Sequence, residues 1–147
     1  MKVREIMSEQ VAFVRPDSTI RETASVLRDR DLGGVPVVEE KKIVGFVTDR
    51  DLVIRSLANG DDPEKSRTSD VMTTPIASVH EDQEVADAAK MMREARVRRL
   101  LVTDSDDKAV GVLALADLAH GGLPKETVAE VVSTISEETP PERPSEV

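Results

Sequence analysis

The 147-residue chain contains no cysteine, tryptophan or tyrosine and only two phenylalanines, Phe13 and Phe46. Without thiols there are no disulfides and no thiolate metal ligands, a usage that fits a reducing compartment and leads us to expect a cytoplasmic protein. With so few rings, stacking platforms for single-stranded nucleic acid are missing, and aliphatic side chains must fill the core. No apolar run approaches the roughly 18 residues of a membrane span, and residues 1–7 lack the apolar stretch of a signal peptide. Positive charge is also scarce: 20 Lys and Arg against 29 Asp and Glu leave a net −9. Such a chain is poorly suited to phosphate backbones or anionic lipid, so neither nucleic acid nor membrane is an expected partner.

What is present is a strand-to-helix corner that occurs twice. Ile43-Val44-Gly45-Phe46-Val47 is short, apolar and β-branched, as a buried strand should be. Thr48-x-x-Asp51 follows with capping-box spacing, in which a hydroxyl and a carboxylate satisfy the free N–H groups of a new helix. Gly111 through Leu118 is the second copy, with Asp117 matching Asp51. Met7 and Met72, Leu27 and Met92, and Val37 and Val102 extend the match to a repeat of about 65 residues, a period pointing to duplicated domains rather than a solenoid.

Each copy opens on a short helical turn (3–7 and 68–72) and an extended stretch (11–14 and 76–79). An amphipathic helix follows, with Ile20, Ala24 and Leu27 on one face in the first copy and Val85, Ala89 and Met92 in the second. A hairpin then leads back to the corner. The order is β-α-β-β-α, and two such units can cover each other's open sheet faces. The expected fold is therefore α/β (α+β), two pseudo-symmetric repeats packed sheet to sheet. We place repeat 1 at 1–62, repeat 2 at 63–122 and an amphipathic helix at 123–138 that Pro124 opens. A disordered Pro-rich, acidic tail at 139–147 completes the expected organisation.

Gly45-x-x-Thr48-x-x-Asp51, the Gly-Val-Pro-Val-Val strand at 34–38, the helix opening Ser18-Thr19-Ile20 and their second copies together resemble a tandem pair of cystathionine-β-synthase (CBS) domains over residues 1–120. Residues 48–55 followed by 59–63 are similar to small stand-alone bacterial CBS pairs, including hypoxic-response types. The resemblance implies sensing or regulation rather than catalysis. It implies an adenine nucleotide (AMP, ADP or ATP) bound in a cleft between the repeats, as a regulatory ligand with no cofactor required. In similar proteins the Asp of the corner accepts both ribose hydroxyls, as a carboxylate can, and the Thr contacts ribose or phosphate. Read without the family, capping alone is the alternative account of Thr48 and Asp51.

The resemblance also sets the far side of that cleft. It places Arg98 and Arg99 opposite Thr48 and Asp51, with guanidinium forks for phosphate. Val97, Thr74, Pro75, Ile76 and Ala77 would then form a slot for the base, which Phe46 lines. Their alternative reading is a cationic cap at a helix end, or a solvated basic face shared with Arg93 and Arg96. The opposite cleft departs from the pattern: Ala114 replaces the Thr beside Asp117 and Val112, and Gly34, Val35 and Pro36 with Val11 and Ala12 offer no charge for phosphate. The second site is expected there to be weak, to prefer an uncharged adenosyl compound, or to be empty. Gly33-Gly34 also reads as an ordinary helix terminus.

His80 and His120 lack the spacing of a metal site, and no nucleophile adjoins a recognisable base, so neither a metal nor an enzymatic role is expected. The alternatives carried forward are a structural or protein-interaction dimer with vestigial clefts whose terminal helix docks on a partner or sister subunit, and a binder of S-adenosylmethionine or a similar compound. Self-association as a homodimer is expected, with an unknown protein reading the bound state.

Overall fold

The computed structural model describes residues 1–9, 12–74 and 77–136. The expected tail at 139–147 and the site residues Val11, Pro75 and Ile76 lie outside them. In chain order the elements are β1 (Ser8–Glu9), α1 (Ile20–Arg30), β2 (Gly34–Glu39), β3 (Lys42–Thr48), α2 (Asp49–Asp51), β4 (Ser78–His80), α3 (Val85–Ala95), β5 (Arg99–Thr103), β6 (Ala109–Ala114) and α4 (Lys125–Ser136). Short 3-10 turns at Val3–Glu5 and Thr68–Asp70 open the two copies, and α2 runs on through a π turn, Leu52–Ser56, into a 3-10 turn, Leu57–Asn59.

Local chemistry accounts for the boundaries. Thr19 caps α1 by accepting the Glu22 N–H at 3.1 Å. At their C-terminal ends α1 and α3 stop in the same way, on left-handed Asp31 (φ 52°) and Arg96 (φ 54°), so that α1 ends before Gly33-Gly34 rather than on them. The hairpins β2–β3 and β5–β6 each carry a register shift, between Val37 and Val38 and between Val102 and Thr103.

The chain divides into two compact units that differ from a cut between the sequence repeats: residues 1–9 join 77–147, and residues 10–76 form the other. In the first, the sheet order is β1-β6-β5-β4, with Ser8 opposite Val112 and Glu9 opposite Gly111. Beneath it lies a core of Val3, Val85, Met92, Leu100, Leu113 and Leu118, over which α4 places Val131 and Ile135. In the second unit β2 and β3 pair alone, and the flanking segments contribute single bridges, Val14 to Val37 and Phe46 to Thr73. The expected extended stretch at 11–14 is thus reduced to one bridge among the described residues.

The core of this second unit is Val14, Ile20, Leu27, Val35, Val37, Val47, Leu52 and Val71. One face assignment changes. Thr23, not Ala24, points inward from α1 and shares a 2.6 Å hydrogen bond with Thr68, both fully buried, while Ala24 is exposed. Thr68 donates its hydroxyl hydrogen to the Ser18 carbonyl at 2.9 Å, so the proton between the two hydroxyls belongs to Thr23. The first unit has Val3 and Ala88 at the corresponding positions, both fully buried.

Candidate functional site

Both corners form as capped carboxylates. Thr48 accepts the Asp51 N–H at 3.1 Å, and the Thr48 N–H donates to Asp51 Oδ2 at 2.9 Å, closing the reciprocal box. Asp51 is 8% exposed, and two further groups reach it: the Thr73 hydroxyl at 3.4 Å on Oδ2, and Arg55 Nε at 3.6 Å from Oδ1. The Arg55 guanidinium also donates to the Val71 and Met72 carbonyls at 3.4 and 3.5 Å. Sequence reasoning had not singled out Arg55 or Thr73. The i,i+4 spacing of Asp51 and Arg55 signals such a pair, whereas Thr73 arrives from outside the corner through its bridge to Phe46.

The second corner keeps half of this arrangement. The Ala114 N–H donates to Asp117 Oδ2 at 2.8 Å, but no hydroxyl returns the bond, and Asp117 is half-buried. In each unit a strand start flanks the corner. Gly34 pairs opposite Thr48 and the Gly33 carbonyl accepts the Asp49 N–H at 3.0 Å, while Arg99 pairs opposite Ala114 and the Arg98 carbonyl accepts the Leu115 N–H at 2.8 Å.

The anticipated ligand residues therefore fall into two groups. Phe46, Thr48, Asp51 and Thr74 belong to the unit of residues 10–76, with Phe46 half-buried against Gly34 and Thr74 exposed. Ala77, Val97, Arg98 and Arg99 belong to the other unit, where Val97 and Ala77 pack on the core, Arg98 is exposed and Arg99 is half-buried. Arg99 makes no ion pair among the described residues. Of the second set, Ala12, Gly34, Val35 and Pro36 are buried in the unit of 10–76, while Val112, Ala114 and Asp117 are half-buried in the other.

His80 holds a turn, its Nδ1 accepting the Asp82 N–H at 3.1 Å, and His120 is exposed. Among the described residues no three His, Asp or Glu side chains converge as metal ligands. No helix among them is long and apolar enough to cross a membrane.

A duplicated α/β unit whose two strand-to-helix corners each hold a capped carboxylate defines the class of module. The model of the CBS domain matches residues 3–57 and again 69–122, and the chain belongs to the CBS-domain family. It is 36% identical over 134 residues to the CBS domain-containing protein YhcV of Bacillus subtilis, covering 91% of this chain and 94% of that one. It is 31% identical over 133 residues to hypoxic response protein 1 of Mycobacterium tuberculosis, covering 90% and 92%. Among solved structures, CBSX2 in complex with AMP superposes with a TM-score of 0.66 at 25% identity, covering 81% of this chain and 93% of that one. The CBS pair of MJ0100, in complex with 5′-methylthioadenosine and S-adenosyl-L-methionine, gives 0.71 at 26%, covering 82% and 94%.

Proposed function

We propose that this CBS pair is a non-catalytic regulatory module that binds an adenine nucleotide, AMP, ADP or ATP. In this reading Asp51 receives the ribose hydroxyls, Thr48 holds the corner, and Arg98 and Arg99 receive phosphate. Phe46, Thr74, Pro75, Ile76, Ala77 and Val97 enclose the base. The observation that carries the reading is the pair of corner carboxylates fixed by their own caps, Asp51 on the Thr48 N–H and Asp117 on the Ala114 N–H. A carboxylate has about four lone-pair sites, so the cap leaves capacity for two O–H donors. Arg99, half-buried and without an ion-pair partner among the described residues, supplies charge for a phosphate in an otherwise acidic chain. The complexes of CBSX2 with AMP and of MJ0100 with adenosyl compounds support the ligand class.

The corner at Asp117 would then prefer an uncharged adenosyl compound, because it keeps the carboxylate and lacks the hydroxyl. A ligand favouring one arrangement of the module shifts its population and so changes the surface offered to a reader protein, the step that makes binding regulatory. We place this activity in the cytoplasm, with no cofactor required. The competing interaction reading relies on a terminal helix free to dock elsewhere, whereas α4 buries Val131 and Ile135 in its own unit.

Thermal unfolding with AMP, ADP, ATP, S-adenosylmethionine and methylthioadenosine tests the proposal, because a ligand bound only by the folded state raises Tm. We expect adenine nucleotides to raise it and the double substitution Asp51→Ala, Arg99→Ala to abolish the shift. No shift with any of the five, or one untouched by the double substitution, rejects the reading.

A further inference from the structure

The two corners carry the same carboxylate in different electrical settings. Asp51 stands one helical turn before Arg55, whose Nε lies 3.6 Å from Oδ1. The second corner runs in step, with Asp117 for Asp51, Leu118 for Leu52 and Leu123 for Leu57, which puts Gly121 where Arg55 stands. No other cation takes that place, for Asp117 makes no ion pair among the described residues.

The fold fixes this difference. A Cβ at Gly121 would lie 2.6 Å from Val85 Cγ1 and 3.3 Å from the Leu118 carbonyl oxygen, so packing at the head of α3 leaves no room for a side chain. The chain also leaves the two corners differently, through the π turn Leu52–Ser56 that contains Arg55 and through the 3-10 turn Leu115–His120 that ends at Gly121.

The Asp51–Arg55 pair itself adds little to stability, since the Arg55 side chain is 52% exposed. Its effect falls on the carboxylate. Oδ2 is taken by the Thr48 N–H and the Thr73 hydroxyl. Oδ1 meets Arg55 at a distance of charge attraction rather than hydrogen bonding, so its lone pairs stay open to O–H donors. The same guanidinium donates to the Val71 and Met72 carbonyls, which keep the cation beside the carboxylate. A ribose held by a bare carboxylate would bring its 5′ substituent near a full negative charge, which opposes phosphate and tolerates a neutral group. At about 8 Å and an effective dielectric of about 20, one unit charge shifts affinity more than tenfold before salt screens it.

We propose that Arg55 is a positioning residue that sets the charge class of the ligand. Paired with Asp51 it makes the first corner neutral and open to phosphate-bearing nucleosides, while Gly121 leaves the second corner anionic and suited to adenosyl compounds without phosphate. The inference rests on the adenine-nucleotide reading above and adds to it the residue that chooses between nucleotide and nucleoside.

Calorimetric titration with AMP and with adenosine tests it, because both bring the same base and ribose and only one brings phosphate. Every chain is titrated with and without Asp117→Ala, so that the first corner can be read by itself. Arg55→Gln should lower the ratio of AMP to adenosine affinity about tenfold. Arg55→Lys, which restores the charge but not the forked contacts, should return the ratio to within about threefold of wild type. Loss of a structural residue would weaken both ligands alike and leave the ratio unchanged. Because the chain has no cysteine of its own, Arg55→Cys gives a second reading. Loaded after folding with an aminoethyl group through a mixed disulfide, this variant should favour AMP about tenfold more than when loaded with a hydroxyethyl group. If Arg55→Gln fails to fold, the loaded cysteine decides alone. Wild type that binds AMP with a ratio unmoved by Arg55→Gln, a ratio that Arg55→Lys does not restore, or equal ratios for the two loaded forms overturns the inference and leaves the proposed function standing. Wild type that binds neither AMP nor adenosine overturns both.

Discussion

Met72 lies against Gly45 so closely that a Cβ at the glycine would overlap the methionine sulfur, and Met7 stands in the same relation to Gly111. Each methionine ends the opening turn of one sequence repeat and packs on the hairpin of the other, so the two contacts mark where the repeats exchange segments. Gly45→Ala should destabilise the protein by about 1–3 kcal/mol through overpacking. Adding Met72→Ala should return part of that loss, which a double-mutant cycle in urea will read as coupling. Additive losses would show that the contact is not what requires glycine.

The Thr23 and Thr68 hydroxyls give an ordered pair of outcomes. Thr68→Val strands the Thr23 hydroxyl, while the Ser18 carbonyl keeps the Thr68 N–H at 2.8 Å, and should cost about 1–3 kcal/mol. Thr23→Val leaves Thr68 donating to Ser18 and should cost less. The double substitution should cost less than the sum of the two, since removing both partners spares the penalty of an unpaired group. Equilibrium denaturation of the three variants checks the order, and Thr23→Val proving the costlier single change would reverse the proton assignment.

Thr48→Ala removes the acceptor for the Asp51 N–H and should cost about 0.5–2 kcal/mol, as lost caps do. Ala114 already lacks that acceptor, so Ala114→Thr should stabilise the second corner by a comparable fraction. Chemical denaturation of each variant measures this. The change at Ala114 should also strengthen adenine-nucleotide binding at the second corner, visible as a larger Tm shift.

Two carboxylates set an acid limb. Hydrogen bonds from the Lys108 and Asp106 N–H groups, at 3.0 and 2.8 Å, hold Asp104 below its ordinary range. The N-terminal ammonium, followed by Lys2, does the same for Glu84. A lowered carboxyl stabilises the folded state above its unfolded value, and that contribution disappears as pH falls through the lowered one. Tm should therefore drop from about pH 4 downward. Asp104→Asn and Glu84→Gln should each lessen the drop while lowering Tm at pH 7. An acid limb identical to that of the wild type in both variants would locate the dependence elsewhere.

The features legible in sequence were those with local causes. Thr19, which stands in the expected helix opening, and the Thr48-x-x-Asp51 box lie within four residues of what they cap, and the box forms as read. The repeat likewise announced two matching corners and two helices ending at the same register. Ala24 shows what was not legible. At helical spacing it is indistinguishable from Ala89, and only α4, present over one and not the other, separates a covered face from an exposed one. Thr73 reached Asp51 through a single bridge that no period encodes. The exchange of residues 1–9 rests on a two-residue strand pairing more than 100 residues away and on backbone bonds between residues 1–4 and 81–85, contacts too short to carry an alternation.

That exchange also sets an order of events on the ribosome. Residues 10–76 have all the contacts of their unit once residue 76 has emerged, whereas Ser8 and Glu9 must wait for Val112 and Gly111. Because domains generally fold as units during synthesis, the unit begun second should be protected from protease first, which stalled chains ending beyond residues 76 and 114 would reveal. The first residues made are thus among the last to find their places.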